Sequence, residues 1–403
     1  MNLLFLAALV SAHAHSINTE TLPVLSSATA LRSVGAKLLA QDDSLDLGYA
    51  NVTPAQQEKI SALMHEKGKC GGFEVVPGSV TASNGQKLIA GLVAQNQKEA
   101  RFASANKLKA SALPKRPEIV KALDELKEEN LRANVEWLST FPSRSNKLAN
   151  PNVHVNEMEA KLRELLAGYP GMFSVDQISH NRTQQKSLRV RLEGKSRPSE
   201  IIVLGGHLDS IVGGWGGGGG RAPGADDNAS GSGNLMEALR VLITKGRPER
   251  SVEFFWYAGE ESGLLGSAEI AQTYKSQKKN VIAVLQLDMT MFPGSGEFVI
   301  GNVQDFTSAW LRDYLVGLND AYLGVRIIPD ECGYACSDHA SWHRQGYPAL
   351  MPFESDTANM NRKIHTEGDL IDSTSSFRHS LVFAKIALAF AMDLANSTQA
   401  QPY

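Results

Sequence analysis

The sequence predicts an α/β fold whose central sheet is mixed, largely parallel and covered by helices on both faces. From about residue 130 onward, apolar segments of strand length alternate with segments of helical periodicity. Residues 201–204, 252–258 and 281–287 are almost entirely apolar, as expected for strands that are buried on both faces. Strands that alternate with helices in this way are typical of sheets built from parallel crossover units.

The elements around these strands are predicted from periodicity. Residues 54–69, 117–138 and 156–167 space their apolar side chains as helices do, and residues 188–192 alternate apolar and basic side chains like a half-exposed strand. Residues 377–396 are apolar almost all round, which predicts a deeply packed final helix. The remaining predicted elements are helices at 234–244, 264–274 and 306–318 and short strands at 325–328 and 349–351.

The first residues have the features of a secretory signal. Residues 3–10 form an apolar run that is too short to span a bilayer, and Ala12-His13-Ala14 matches an A-x-A cleavage pattern. We therefore expect residues 1–14 to be a signal peptide and the protein to be secreted.

Residues 15–110 differ in composition from the rest of the chain, since they are rich in Ala, Ser, Lys and Gln and poor in strand patterns. We interpret them as a mostly helical pro-segment, followed by a catalytic domain at 111–403. The Lys- and Ala-rich stretch at 99–115 is the expected exposed connector, with cleavage near Lys107 or Lys109. The alternative is an N-terminal extension that stays attached.

The 403-residue chain has a formal net charge of −3 and no long block of Lys or Arg. We therefore expect neither nucleic acid nor a membrane surface as its partner, and we expect a monomer. Cys332 and Cys336 can close a short loop, and in an exported protein a disulfide between them is favoured over two free thiols. Cys70 is the third cysteine and would leave with the pro-segment.

Acidic and histidine side chains follow the predicted buried strands, where open α/β sheets bind their ligands. His207 and Asp209 lie two residues apart after the first of these strands, so both side chains point the same way on an extended chain. This spacing suits a metal-bound imidazole whose second nitrogen donates to a carboxylate. The other candidates are Asp226 and Asp227 in a loop with Gly and Pro, Glu260 and Glu261 after the second strand, Asp288 after the third, and His365 in a polar loop.

This mixture of imidazoles and carboxylates predicts two divalent metal ions, with Zn²⁺ as the first choice. If Asp227, Glu261 and Asp288 are ligands and Asp227 bridges, their charge and that of one hydroxide balance two divalent cations, which lowers the cost of burial. Without cations, the same acids would repel one another and raise each other's pKa. Each acid, considered alone, could instead have a purely structural role, such as that of an Asp that caps a helix.

Other catalytic motifs fit less well. His339 and His343 have H-x-x-x-H spacing, but Ala340 stands where a zincin helix needs Glu. The Gly-rich run at 213–220 lacks the Lys-Ser/Thr pair of a phosphate loop, and we interpret it as a flexible loop at the rim of a pocket. The sequence contains no G-x-S-x-G nucleophile motif.

The motifs, in their order, resemble those of the secreted bacterial and fungal leucine aminopeptidases, which are two-zinc exopeptidases. The resemblance extends from about residue 130 to 395 and does not clearly include residues 15–110. The motifs that carry it are residues 206–210 (GHLDS), 223–231 (PGADDNASG), 257–263 (YAGEESG), 285–289 (LQLDM) and 332–339 (CGYACSDH).

The resemblance implies a role for each site residue. Asp227 would bridge both ions, and the peptide bond after it would be cis. Glu260 would be the general base, Asp209 would orient His207, and Tyr334 would hydrogen-bond the oxyanion. The implied metal ligands are His207, Asp227, Glu261, Asp288 and His365.

The resemblance also implies peptide substrates with a free N-terminus and a preference for apolar, leucine-like residues. A free α-amine could bind one of the ions, which would explain exopeptidase action. The implied pocket residues are Met289, Met351, Phe353 and Ile364. Thr357 and Met360 stand where the family would have aromatic residues, which leaves the exact side-chain preference open.

Three alternatives remain at this point. Related folds act as carboxypeptidases, which would need an Arg placed for the C-terminal carboxylate, and a single-zinc relative cyclises N-terminal glutamine. A non-catalytic binding ectodomain would be expected to lose ligands, whereas all five ligand positions and Glu260 are present here.

Overall fold

The structure, a computed structural model, describes residues 21–66, 72–76, 81–106, 113–213 and 220–397. The predicted signal peptide, Cys70, the expected cleavage sites and most of the Gly-rich run lie outside these ranges.

The chain forms thirteen strands and eleven α-helices within the described residues. The strands are β1 (Leu22–Ser27), β2 (Leu38–Asp42), β3 (Leu47–Val52), β4 (Phe73–Val75), β5 (Phe173–Ile178), β6 (Ser187–Leu192), β7 (Arg197–His207), β8 (Arg250–Tyr257), β9 (Asn280–Gln286), β10 (Val299–Val303), β11 (Arg326–Asp330), β12 (Ala349–Leu350) and β13 (Pro352–Phe353). The helices are α1 (Ala28–Ser33), α2 (Pro54–Glu66), α3 (Ala82–Asn106), α4 (Pro117–Leu123), α5 (Glu128–Ser139), α6 (Val153–Leu166), α7 (Gly231–Leu242), α8 (Leu265–Ser276), α9 (Ala309–Tyr322), α10 (His339–Arg344) and α11 (Phe377–Asn396).

The central sheet has six strands in the order β12-β9-β7-β8-β6-β5. β12, β9, β7 and β8 pair in parallel, whereas β6 and β5 are antiparallel to their neighbours. A smaller sheet pairs β10 with parallel β11 and antiparallel β13. The predicted mixed, largely parallel sheet is therefore confirmed.

Helices cover both faces of the central sheet, as predicted. Ile202 and Leu204 of β7 belong to an apolar cluster with α7 and α11, whereas Ile201 and Val203 belong to a second cluster with α8. Because successive side chains of a strand point to opposite faces, this explains the continuous apolar runs of the central strands. None of the described helices combines the length and the apolar composition needed to cross a bilayer.

The predicted helix at 117–138 is wrong in one respect, because the structure has two helices there. Lys127 is extended, with φ −125° and ψ 125°, and separates α4 from α5. Its backbone N–H donates to the carboxylate of Glu237 on α7 over 2.7 Å. The Glu237 carboxylate is completely buried and also accepts from the Arg240 guanidinium, so the extended Lys127 joins a hydrogen-bonded group on α7 at the break between the two helices.

The described part of residues 15–110, residues 21–106 with their gaps, is a folded N-terminal unit that contains a sheet. The prediction of a mostly helical segment missed the four antiparallel strands, in the order β2-β3-β1-β4, that pack with α1 to α3. α3 extends to Asn106, so the first half of the expected connector at 99–115 is helical. The strands were missed because they are short and irregularly patterned.

The N-terminal unit packs on the rest of the chain through buried polar contacts. Glu74 of β4 is completely buried and forms an ion pair with Arg344 of α10. The Val75 N–H donates to the Gly263 carbonyl over 3.0 Å, and the Gln95 side chain donates to the His343 carbonyl over 2.8 Å. The unit is thus attached by specific interactions at the end of β8 and on α10.

We predict that Glu74→Gln lowers the free energy of unfolding by about 3–5 kcal/mol, because it leaves the buried Arg344 guanidinium unpaired. The matched control is Asp43→Asn, which breaks the exposed pair with Arg32 and should cost less than about 1 kcal/mol. Chemical denaturation of both variants measures the difference, and equal losses would contradict the importance of the buried pair.

Candidate active site

The carboxyl ends of the parallel strands bring most of the candidate residues to one edge of the central sheet. β7 ends at His207, β8 is followed by Glu260 and Glu261, and β9 is followed by Asp288. His365 reaches the same place from the loop before α11, with a left-handed φ of 53°. The edge therefore joins residues that are distant in sequence, as the strand positions predicted.

Asp227 lies in a kinked turn, Ala225–Ser230, that leads into α7, and its backbone is non-helical there, with φ −107° and ψ 92°. The Asp227–Asn228 peptide bond is cis, as the resemblance implied. The backbone N–H groups of Asp226 and Asp227 donate to the two carboxylate oxygens of Asp369, each over 3.0 Å. The Asn228 side chain donates to the Leu287 carbonyl over 2.9 Å. These hydrogen bonds fix the turn next to the end of β9.

The Asp227 carboxylate lies between two imidazoles. Its Oδ1 is 3.0 Å from His207 Nε2, and its Oδ2 is 3.0 Å from His365 Nε2. His207 Nε2 is also 3.2 Å from Asp288 Oδ1, and His365 Nε2 is 2.8 Å from Glu261 Oε2. The five predicted ligands thus form two groups that share Asp227, and each group contains one His and one further carboxylate.

Burial dominates the electrostatics of this cluster. It raises the pKa of Glu260 well above its ordinary value and that of Glu261 to about 7. Burial alone would lower the pKa of His365, but Glu261 and Asp227 raise it to about 10. Burial alone would raise the pKa of Asp227, but hydrogen bonds from His207 and His365 lower it. The two imidazoles therefore stabilise the ionised form of Asp227, whereas burial and neighbouring carboxylates destabilise the ionised forms of Glu260 and Glu261.

The donor set fits divalent metal ions of the zinc type. One ligand atom each from His207, Asp227 and Glu261 lie within 4.8 Å of one another. Glu260 Oε2 and Glu261 Oε1 are buried and have no hydrogen-bond donor among the described residues. Buried carboxylate oxygens need a donor or a cation, and a set of imidazole and carboxylate ligands suits Zn²⁺.

Asp209 makes different contacts from those expected. Its carboxylate accepts hydrogen bonds from the backbone N–H groups of Glu260 and Glu261 at 3.0 and 3.2 Å. The Nδ1 of His207 is 3.0 Å from the Asp209 backbone carbonyl and 3.6 Å from its carboxylate. Asp209 thus orients the His207 ring mainly through its backbone, and its side chain holds the Glu260–Glu261 turn.

Cys332 and Cys336 form a disulfide, as predicted. The loop that they close carries Tyr334, which is buried beside Asp288. A cavity of about 20 Å³ lies here. Its lining residues are Asp288, Met289, Cys332, Tyr334, Cys336, Met351, Phe353, Thr357 and Met360. Three of the four implied pocket residues line the cavity, and the fourth, Ile364, packs in the same apolar cluster.

Sequence reasoning missed several residues that support the site. Asp369 holds the turn with Asp227, and Ser337 donates to Asp288 over 2.6 Å. Arg144 is completely buried behind the cluster and donates only to backbone carbonyls. Glu354 is buried against Asp226, and burial raises the pKa of both. Ser337 lies in the 332–339 motif, where its role was not recognised. The other three residues belong to none of the motifs, so the sequence offered no signal for their roles.

Comparison with known proteins agrees with this geometry. The profile of Peptidase family M28 matches residues 188–391. Leucine aminopeptidase 1 of Aspergillus fumigatus is 37% identical over 291 residues, which are 67% of this chain and 72% of the relative. A probable leucine aminopeptidase of Arthroderma benhamiae is 34% identical over 303 residues, 73% of this chain and 82% of the relative.

The crystal structure of the LapA aminopeptidase of Legionella pneumophila aligns with a TM-score of 0.80 and 28% sequence identity. The alignment covers 94% of this chain and all of the LapA chain, so it includes most of the N-terminal unit. The chain is a metallo-aminopeptidase by these similarities, and it belongs to peptidase family M28.

Proposed function

We propose that this protein is a secreted aminopeptidase that uses two Zn²⁺ ions to remove apolar residues from the N-termini of peptides. The observation that carries the proposal is the position of the Asp227 carboxylate, with one oxygen 3.0 Å from His207 and the other 3.0 Å from His365. A carboxylate that presents its two oxygens to two separate imidazoles is arranged to bridge two ions.

The two halves of the cluster define the proposed ion sites. His207 and Asp288 would hold one ion, Glu261 and His365 would hold the other, and Asp227 would serve both. Two bound Zn²⁺ ions would supply an acidified water and polarise the scissile carbonyl. Each half has an imidazole within 3.2 Å of a carboxylate of its own, which supports two sites over one.

Glu260 is the residue that we assign to proton transfer. Its carboxylate is buried at the same edge, next to the ligand Glu261, and Oε2 has no hydrogen-bond donor among the described residues. It would accept a proton from the attacking water and deliver that proton to the leaving amine. The Tyr334 hydroxyl would donate to the oxyanion of the tetrahedral intermediate.

The apolar lining of the small cavity supports a preference for apolar N-terminal residues, and relatives named leucine aminopeptidases favour the same assignment. The described residues do not favour a carboxypeptidase, because Arg144 is buried and donates to carbonyls of the chain itself. A single-zinc cyclase would not need both halves of the cluster, and a binding ectodomain would not need Glu260.

Hydrolysis of a leucine anilide tests the activity. We expect turnover that EDTA abolishes and Zn²⁺ restores, and no cleavage of the N-acetylated substrate, which lacks the free α-amine.

Glu260→Gln should retain its metal content and lose about 10²–10⁴-fold in kcat. Loss of metal together with activity in this variant would show that Glu260 is a ligand rather than the base.

Asp227→Asn should lose more metal than any other single ligand substitution, because both proposed ions depend on this carboxylate. Asp226→Asn is the matched control, since the Asp226 carboxylate accepts from the Asn361 side chain and the Met291 N–H and does not contact the histidines. Elemental analysis that finds two ions per chain in Asp227→Asn would exclude the bridging role.

We further propose that the N-terminal unit limits activity until it is released. Every proposed ligand, Glu260 and Tyr334 is at most 5% exposed, and a cavity of 20 Å³ holds about one water. Apolar residues of the unit, including Val24, Phe73 and Val75, belong to the same apolar cluster as Tyr334 and Phe353. The cavity is therefore too small for a leucine side chain, and binding of such a substrate requires this apolar cluster to open.

Release of the unit should raise activity. We expect limited proteolysis near 107–112 to increase turnover of the leucine anilide, and N-terminal sequencing of the exported protein to begin beyond this region. Glu74→Gln in the uncut chain should raise basal turnover because it weakens the attachment, whereas the Asp43→Asn control should not. A fully active exported form that still begins near residue 15 would contradict the inhibitory role.

A further inference from the structure

Arg144 connects two of the segments that carry proposed metal ligands, those of His207 and Asp227. It lies between α5 and α6, and its side chain is completely buried. Nε donates to the Leu208 carbonyl over 2.9 Å, Nη1 to the Pro223 carbonyl over 2.6 Å, and Nη2 to the Gly224 carbonyl over 2.8 Å. A fourth hydrogen bond goes to the Leu138 carbonyl, 2.9 Å from Nη1, at the end of α5.

These acceptors are close in sequence to the ligands. Leu208 directly follows His207, and Gly224 precedes Asp227 by three residues. One rigid guanidinium therefore determines the separation between the end of β7 and the turn that carries the shared carboxylate. Arg presents its donors in a planar fork, and the single ammonium of Lys could not reach the same set of carbonyls.

Gly224 is adapted to this contact. It has a left-handed φ of 51°, and a Cβ at this position would clash with the Asp227 carbonyl oxygen and would lie 2.6 Å from the Ser210 Cβ and 2.7 Å from Arg144 Nη2. The Ser210 hydroxyl accepts from the Arg144 backbone N–H over 3.2 Å and donates to the Ala222 carbonyl over 2.7 Å. The backbone and the side chain of Arg144 thus hold the same two segments.

The charge of Arg144 also suits this place. No described carboxylate oxygen forms a salt bridge with its guanidinium, and all four hydrogen bonds go to neutral carbonyls. Burial lowers its pKa to about 10, while the nearby Asp369 and Asp227 oppose that shift, so the group remains charged at neutral pH. The four carbonyls and the nearby carboxylates thus compensate for the burial of this cation, which lies beside the carboxylate cluster without pairing with any one of its members.

We propose that Arg144 is a positioning residue that sets the spacing between the His207 and Asp227 segments and thereby the affinity for both metal ions. This inference rests on the proposed two-metal function. Arg144 contacts neither the substrate nor the ions, and it acts through the backbone of the ligand segments, as outer partners of metal sites do.

The experiment compares Arg144→Lys with Arg250→Lys. Arg250 is another completely buried arginine, which donates to the Leu394 and Ser397 carbonyls and forms an ion pair with Glu200. Both variants should lose thermal stability in the metal-free form. Zn²⁺ affinity, measured by competition with a fluorescent chelator, should fall about 10–100-fold in Arg144→Lys and remain unchanged in Arg250→Lys.

Ser210→Ala provides a milder variant in case Arg144→Lys does not fold. It keeps the guanidinium and removes the hydroxyl that joins the same segments, so we expect a smaller loss of Zn²⁺ affinity and a lower kcat with little change in KM. Wild-type Zn²⁺ affinity in Ser210→Ala and in any folded Arg144→Lys would overturn the inference. A wild-type chain that binds no Zn²⁺ would instead contradict the proposed function.

Discussion

The concentration of buried carboxylates at one edge of the central sheet is the constraint on which the rest of the structure depends. Nine acidic side chains are buried within or beside the site. They are Asp209, Asp226, Asp227, Glu260, Glu261, Asp288, Asp338, Glu354 and Asp369. Such a cluster is unstable unless positive charge or hydrogen-bond donors compensate for lost hydration. His207 and His365 supply part of the compensation, and divalent cations are the remaining partners that this chemistry suits.

The surrounding residues divide the cluster into carboxylates with different tasks. Asp209 and Asp369 accept pairs of backbone N–H groups and hold the segments that carry the proposed ligands Glu261 and Asp227. Asp226 lies against Glu354, and burial raises the pKa of both. Asp227 and Glu261 lie beside the imidazoles of His207 and His365, which is the arrangement expected of the proposed metal ligands. Because the carboxylates are chemically alike, the partners of each one determine whether it supports the backbone or faces the proposed ion sites.

The N-terminal unit is linked to this edge by the same kinds of forces. Val75 donates to the carbonyl of Gly263, three residues beyond Glu260, so the unit contacts the turn that carries the proposed base. Its apolar residues extend the cluster around the small cavity beside Tyr334, and the Glu74–Arg344 pair attaches the unit to α10. The proposed inhibitory role of the unit is based on this position, because the surface that holds the unit lies beside the turn with Glu260.

The sequence by itself determined the α/β class, the positions of the main strands and the candidate ligands. Continuous apolar runs identify strands buried on both faces, and polar residues directly after such strands, as at His207 and Asp288, have few structural explanations. The disulfide between Cys332 and Cys336 was predicted for a similar local reason, because the two cysteines are close in sequence.

Only the tertiary structure decided which side chains support the site. Arg144 and Asp369 act through hydrogen bonds to residues tens of positions away, and local periodicity contains no information on such pairs. At the break between α4 and α5, Lys127 donates to Glu237, which lies more than a hundred residues further along the chain. The sheet of the N-terminal unit was missed because its strands are short and lack a regular apolar pattern. Their stability comes from pairing with one another and from packing against the rest of the chain.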